Sequence, residues 1–244
     1  HRLSALPDVT RPLTADATLT VGELRTAGRT LQNLSATVAT RGRALEAHVR
    51  TAGDVVLSLS LAGTVDEDEE GLALHAMTLA WPEATWTLQG RSHVGFGGGR
   101  LEVRPALTLV SEQQRLALTL VKEGERVDGR VEVDTLDLTR LPRAFVPEAL
   151  GLGGRLSARV RARRQLPRPD AEVSLTLEEG RFQQYSGLGL RLRGTYVKDR
   201  ATGTLTASVP AGTVSADFDV PVQGLLRRRK GALSLRVNLA RLSL

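Results

Sequence analysis

The sequence predicts an all-β protein built from repeated amphipathic strands, and three observations support this class. Apolar and polar residues alternate over most of the 244 residues, as in strands that bury one face. Glycine, proline and charged residues separate the alternating segments, as turns do. No segment of useful length shows the periodicity of an amphipathic helix. Alternation alone fits either an elongated open antiparallel sheet or a closed β-sandwich whose inner faces meet in a dry core.

The predicted strands follow one another along the whole chain. The first is the clearest, because every second residue from Leu13 to Val21 is apolar. Pro82 interrupts the fifth segment, and the glycine-rich stretch from His93 to Gly99 predicts a turn. In chain order the alternating segments are 13–21, 31–38, 44–49, 55–61, 72–86, 101–110, 116–121, 131–138, 156–162, 173–177, 188–196, 204–209, 214–222 and 232–244.

The centre of the chain is a strand, a break and a second strand. Val131 and Val133 share one face, but Leu136 and Leu138 continue that face only after a shift of one residue. A single inserted residue predicts a β-bulge, which bends a strand without ending it. Prolines and glycines then interrupt the alternation, so we expect a short helical or irregular break near residues 139–150.

This break divides the chain into two groups of strands. The first group comprises residues 1–138, the Pro- and Gly-bracketed break comprises 139–154, and the second group comprises 155–244. In the second group Arg159 and Arg161 alternate with apolar neighbours, so one strand face is apolar and the other charged. We expect the second group to continue the same sheet, with its charged face in water.

The one-residue shift recurs in the pattern apolar-x-x-Leu-x-apolar. It occurs at Leu31–Ala36, Leu74–Leu79, Val133–Leu138 and Leu239–Leu244, with Met77 in the Leu place of the second copy. Recurrence of a unit of several strands favours a stacked, open sheet over a closed domain.

Composition and motifs argue against several classes of function. The net charge is +6, but the basic residues are scattered over strand faces, and aromatic residues at 3% are too few to stack single-stranded nucleic acid. We therefore expect no nucleic-acid partner. The four histidines lack metal-ligand spacing, cysteine is absent, and no G-x-S-x-G motif occurs, so we expect no metal, no cofactor and no enzymatic activity.

One segment carries a family resemblance. Leu136-Asp137-Leu138 ends a strand, Gly154-Arg155-Leu156 begins the next, Pro167 marks a turn, and Val173–Leu177 forms another amphipathic strand. This order resembles the TamB and AsmA-like proteins of the Gram-negative envelope. The resemblance implies a long, curved, U-shaped sheet whose apolar groove conducts phospholipid between the inner and outer membranes. It also implies a periplasmic location, with attachment to the inner membrane through parts of the parent protein outside this chain.

Under this interpretation the partners are phospholipid and envelope proteins of the inner and outer membranes, and the oligomeric state is left open. The residues expected to line the lipid groove are the apolar members of the alternating segments: Leu57, Leu59, Leu61, Leu107, Leu109, Leu116, Leu118, Leu120, Val131, Val133, Leu136, Leu138, Val160, Val173, Leu175, Leu177, Leu188, Leu190, Leu192, Leu205, Val214, Phe218, Leu233, Leu235, Val237 and Leu239.

Two other functions fit the same pattern. A periplasmic scaffold would assist the assembly of outer-membrane proteins through exposed sheet edges. A structural β-repeat domain of a surface protein would close into a sandwich and bind nothing apolar.

Overall fold

The described residues form a single, open, antiparallel β-sheet. The computed structural model describes residues 14–26, 29–53, 55–66, 70–142, 150–165, 170–221 and 234–240. The strands are β1 Thr14–Thr26, β2 Arg29–Arg41, β3 Ala44–Gly53, β4 Leu57–Asp66, β5 Gly71–Trp81, β6 Ala84–Leu88, β7 Ser92–Gly97, β8 Arg100–Ser111, β9 Gln114–Glu123, β10 Arg126–Asp137, β11 Gly153–Gln165, β12 Asp170–Phe182, β13 Tyr185–Val197, β14 Arg200–Val209, β15 Gly212–Pro221 and β16 Ser234–Ala240.

Strand order in the sheet follows chain order from β1 to β16. The two end strands do not pair with each other, so the sheet is not a closed barrel. All sixteen described strands belong to this one sheet, and each packs mainly against its neighbours in the sheet. The alternative of a closed β-sandwich is therefore wrong, and the expected elongated open sheet is confirmed.

Strands β6 and β7 together occupy one position in the sheet. Both lie between β5 and β8: β6 pairs with the last residues of β5, and β7 pairs with the first. They form one strand that is interrupted at residues 89–91. The turn predicted from His93 to Gly99 is confirmed at Gly98 and Gly99 and wrong before them, because His93–Gly97 is strand. The His93 ring lies over Gly71, where a Cβ atom would come within 2.5 Å of His93 Nε2, so the glycine permits close approach within paired strands.

The predicted one-residue shifts are bulges in three of their four positions. The register of β2 against β3 shifts between Gln32 and Ser35, and that of β10 against β11 shifts between Val133 and Leu136. In β5 the register shifts opposite Ala62 and Gly63. The fourth copy extends into 241–244, outside the described residues.

The expected break after the central strand begins with a short 3-10 helix, η1, at Leu138–Arg140. The Asp137 carboxylate accepts hydrogen bonds from the Thr139 amide at 2.9 Å and from the Thr139 hydroxyl at 2.7 Å. These bonds start the helical turn at Leu138, one residue before the predicted start of the break at residue 139. The prediction that Leu138 continues the strand is therefore wrong. Residues 143–149 lie outside the described chain, and β11 pairs directly with β10, which places both groups of strands in one sheet.

A close backbone approach between β13 and β14 gives a test of the packing. Gly194 and Gly203 lie opposite each other, and a Cβ atom on Gly203 would come within 2.2 Å of the Arg193 carbonyl oxygen and 2.8 Å of Phe218 Cζ. The Gly203→Ala substitution should therefore lower the free energy of unfolding by about 1–3 kcal/mol, measured by urea denaturation. Gly22→Ala is the matched control, since nothing lies within 4 Å of that position. Equal stability of both variants would contradict this packing.

Candidate functional site

The strand registers place the apolar residues on one side of the sheet, which we name the apolar face. One row of directly opposed residues crosses β8 to β15 and consists of Leu109, Leu116, Val133, Ala158, Leu175, Leu192, Leu205 and Ala216. A second row crosses β1 to β6 and consists of Leu19, Ala36, Val49, Leu59, Leu79 and Trp86. Leu88 joins the rows, because it lies opposite Leu109 and two residues beyond Trp86. The apolar face is therefore continuous along the described sheet.

The structure brings most of the predicted lining residues together on this face. Among those with described side chains, Leu109 and Leu138 are buried and the others are half-buried. Leu138 lies in η1 and not on a strand. Leu235, Val237 and Leu239 lie in β16, where only the backbone is described, and Leu233 is outside the described residues.

Partial burial of this face follows from the single layer. Neighbouring side chains shield one another sideways, but no second layer of described strands packs on top of them. Few apolar residues are buried in the described part of the chain: Leu74, Ala84, Trp86, Val103, Leu109, Ala117 and Leu138. An extended apolar face of this kind is typical of interaction sites.

The best-packed part of the apolar face is a cluster that the sequence interpretation missed. This tryptophan cluster has buried Ala84, Trp86 and Leu109 at its centre, with Met77, Leu79, Trp81, Leu88, Leu107, Leu116 and Leu136 packed around them. The rings of Trp81 and Trp86 are tilted at 32°, with centroids 6.3 Å apart. The sequence did contain a signal for this cluster at Pro82. A two-residue hairpin connection there sets Trp81 and Trp86 on one face of the sheet.

Residues of η1 contact the turns at one end of the strands, next to this cluster. Trp81 Nε1 donates a hydrogen bond to the Arg140 carbonyl oxygen at 2.7 Å, and Arg140 Nε donates to the Glu83 carbonyl oxygen at 3.0 Å. The Arg140 guanidinium also pairs with Glu112 at 2.6 Å. Arg140 thereby links the chain after β10 to the β8–β9 and β5–β6 turns. We name this segment, Leu138–Arg140, the strap.

Trp86 carries the one polar group at the centre of the tryptophan cluster. Its side chain is 3% exposed, and its Nε1 donor has no hydrogen-bond partner within the described residues. A buried donor without an acceptor costs about 1–3 kcal/mol of stability.

The opposite side, which we name the polar face, is charged and exposed. Glu132 pairs with Arg130 and lies 3.5 Å from Arg159 Nε and 3.8 Å from Arg115 Nη1. Near the end of the sheet Arg200 forms a two-pronged pair with Asp219, at 2.7 and 3.0 Å. Hydrogen bonding to that carboxylate, together with its negative charge, raises the pKa of Arg200.

The described residues contain no group of three or more His, Cys, Asp or Glu that could hold a metal ion. No helix in the described ranges is long and apolar enough to cross a membrane.

Comparison with known proteins leaves the family undetermined, since no family model, no curated protein and no solved structure matches the chain. The resemblance to the TamB and AsmA-like proteins therefore stays a prediction, and the case for a function rests on the two faces of the sheet.

Trp86→Ala tests whether the tryptophan cluster is the local core. Removing this buried ring should lower the free energy of unfolding by about 3–5 kcal/mol, because it leaves a cavity. Leu192→Ala, at a half-buried position on the same face, should lower it by only about 1 kcal/mol, since much of that side chain already contacts solvent. Thermal unfolding followed by circular dichroism compares the two. A larger effect at Leu192 would show that the best-packed region lies elsewhere.

Proposed function

We propose that this chain is a segment of a periplasmic protein that conducts phospholipid between the inner and outer membranes along its apolar face. The observation that carries the proposal is the continuity of that face along the sheet, with no second layer of described strands to cover it. An ordinary domain buries such a face in its own core. Here the acyl chains of lipids supply the missing apolar surface.

Lipid chains match this surface in energy and chemistry. Each methylene group withdrawn from water gains about 0.8 kcal/mol, so a chain with ~15 methylenes gains about 12 kcal/mol in apolar surroundings. The rows of leucine, valine and alanine offer no hydrogen-bonding groups along their length. Contacts of this kind have no preferred stopping point, so a bound chain slides along the strands without being held at one position.

The tryptophan cluster provides the one exception to this uniform surface. Its buried side chains are packed more tightly than the rest of the face, and the cluster lies beside the strap at one end of the strands. A lipid that reaches this place would meet a packed apolar wall. We infer that the cluster slows or orients lipid at this point on the path.

A second function is favoured by the two ends of the sheet. Strands β1 and β16 each have a neighbour on one side only among the described strands, so their outer edges present unpaired backbone groups. Such edges pair with strands of other proteins, as a scaffold for outer-membrane protein assembly requires. A scaffold of this kind does not require lipid on the apolar face, which separates the two functions experimentally. We propose no catalytic role for either face.

Charge on the apolar face should abolish lipid loading while leaving the fold in place. Leu118 and Leu190 lie mid-strand on this face, and in an open sheet an aspartate there reaches water instead of being trapped in a dry core. We expect Leu118→Asp and Leu190→Asp to stay β-rich by circular dichroism. Most of the phospholipid that the unsubstituted chain takes up from phosphatidylethanolamine–phosphatidylglycerol vesicles should be lost, as measured by mass spectrometry of extracted lipid.

Thr119→Asp is the matched control, because Thr119 is next to Leu118 but lies on the polar face opposite Arg130. It should keep full loading. Collapse of the β signal in both leucine variants would overturn the open-groove proposal. Full loading of a folded leucine variant would overturn it as well.

The two tryptophans report directly on bound lipid, since Trp81 and Trp86 are the only ones in the chain. Phospholipid with brominated acyl chains should quench their fluorescence, because bromine atoms come into contact with the half-buried Trp81 ring when the chains lie on the apolar face. Phospholipid without bromine should not, and Trp81→Phe should remove most of the effect, because the remaining Trp86 ring is 3% exposed. Equal fluorescence with both lipids would favour the scaffold.

A further inference from the structure

A hollow on the polar face lies over strands β10 to β14 and has a volume of about 590 Å³. Its charged lining consists of Arg130, Arg159, Arg161, Glu172 and Arg193. These five residues occupy two neighbouring rows of the polar face, because Arg130, Arg161 and Glu172 oppose one another in turn and Arg159 and Arg193 both oppose Ser174. The hollow is therefore on the side of the sheet away from the apolar face.

The charge in this hollow is positive and incompletely neutralised. Four arginines line it with one carboxylate, that of Glu172, and a second carboxylate, that of Glu132, borders it. Glu132 serves both Arg130 and Arg159. Across the strands, Arg130 lies directly opposite Arg161, an arrangement of like charges that destabilises a sheet. An anionic ligand between the two guanidinium groups would relieve this repulsion.

Two of the arginines have donors to spare. The Asp128 carboxylate is 4.0 Å from Arg161 Nε, beyond hydrogen-bond distance, and the Arg161 side chain is 41% exposed. Arg193 makes no ion pair with any described carboxylate. Its neighbours across the strands are Ser174 and Thr204. Guanidinium groups with free donors recognise phosphate oxygens in a two-pronged geometry.

Hydroxyl groups complete the lining of the hollow. Thr195 and Thr202 share a hydrogen bond at 3.0 Å, and Thr204 donates to Asp217 at 2.9 Å. Asp217 lies in the same cross-strand row as Arg193, with Thr204 between them. Its carboxylate therefore limits the positive charge on that side of the hollow. The ligand-accessible charge is concentrated between Arg161 and Arg193, on either side of β12.

We propose that this hollow binds the phosphate group of an anionic ligand, with Arg161 and Arg193 as its principal donors. Its volume of about 590 Å³ leaves room for a phosphate ester as well as for a free ion. The ligand is either a soluble phosphate compound or the headgroup of an anionic lipid. The site is separate from the apolar face and does not depend on the lipid-conducting function.

The test measures binding of inorganic pyrophosphate by isothermal titration calorimetry at fixed salt, beside flotation with phosphatidylglycerol vesicles and with phosphatidylcholine vesicles. Arg161→Gln and Arg193→Gln should each weaken binding about 10-fold or more, because each removes a charged hydrogen-bond donor. Pyrophosphate binding assigns the hollow to a soluble phosphate compound. Binding to phosphatidylglycerol vesicles alone, lost in both variants, assigns it to a lipid headgroup.

Arg50→Gln is the control for the loss of one positive charge. Arg50 is exposed on the polar face of β3, many strands away from the hollow, and should bind like the unsubstituted chain. Circular dichroism should show all three variants folded, because Arg50 and Arg193 are exposed and Arg161 is half-buried. An equal loss in Arg50→Gln would overturn the proposal, since binding would then follow net charge. Unchanged binding in Arg161→Gln and Arg193→Gln, or no binding by the unsubstituted chain, would overturn it too.

Discussion

Backbone hydrogen bonding between adjacent strands is the interaction on which this protein depends. In a two-layer domain the strands are also held by a core between the layers, but here all the described strands form one layer. Cross-strand neighbours therefore supply most of the side-chain contacts as well. This explains why the strands are long, commonly ten to thirteen residues, and why the ladders persist through several bulges.

The same constraint produces two faces with separate chemistry. A strand directs successive side chains to opposite sides, so a continuous ladder extends any preference of one strand across its neighbours. On one side this gives uninterrupted rows of aliphatic residues, and on the other it gives rows of arginine, glutamate and threonine. Because no second layer of described strands covers either side, both are available to ligands in this part of the chain. One side suits acyl chains, and the hollow on the other suits an anion.

Much of this arrangement could be predicted from the sequence. Strict alternation identifies strands and their faces, and the one-residue shifts located the bulges at Gln32–Ser35 and Val133–Leu136, because side-chain period depends on local backbone geometry alone. The link between Trp81 and Arg140 could not be predicted, since it joins residues 59 positions apart through a carbonyl group that every residue possesses. The polar hollow also escaped prediction. It arises from the register that sets Arg130 opposite Arg161, and the long connection between β10 and β11 leaves no local sequence pattern that fixes this register.

The pairing of each strand with its sequence neighbours makes the sheet a one-dimensional assembly. In a compact domain the size of the core limits the number of strands, but here the addition or loss of a hairpin changes the length and leaves the interior contacts of the remaining strands as they were. The length of the sheet, measured across its strands, therefore changes in steps of about 10 Å, the width of two strands. A sheet of this design can be lengthened or shortened without any change to the chemistry of its surfaces.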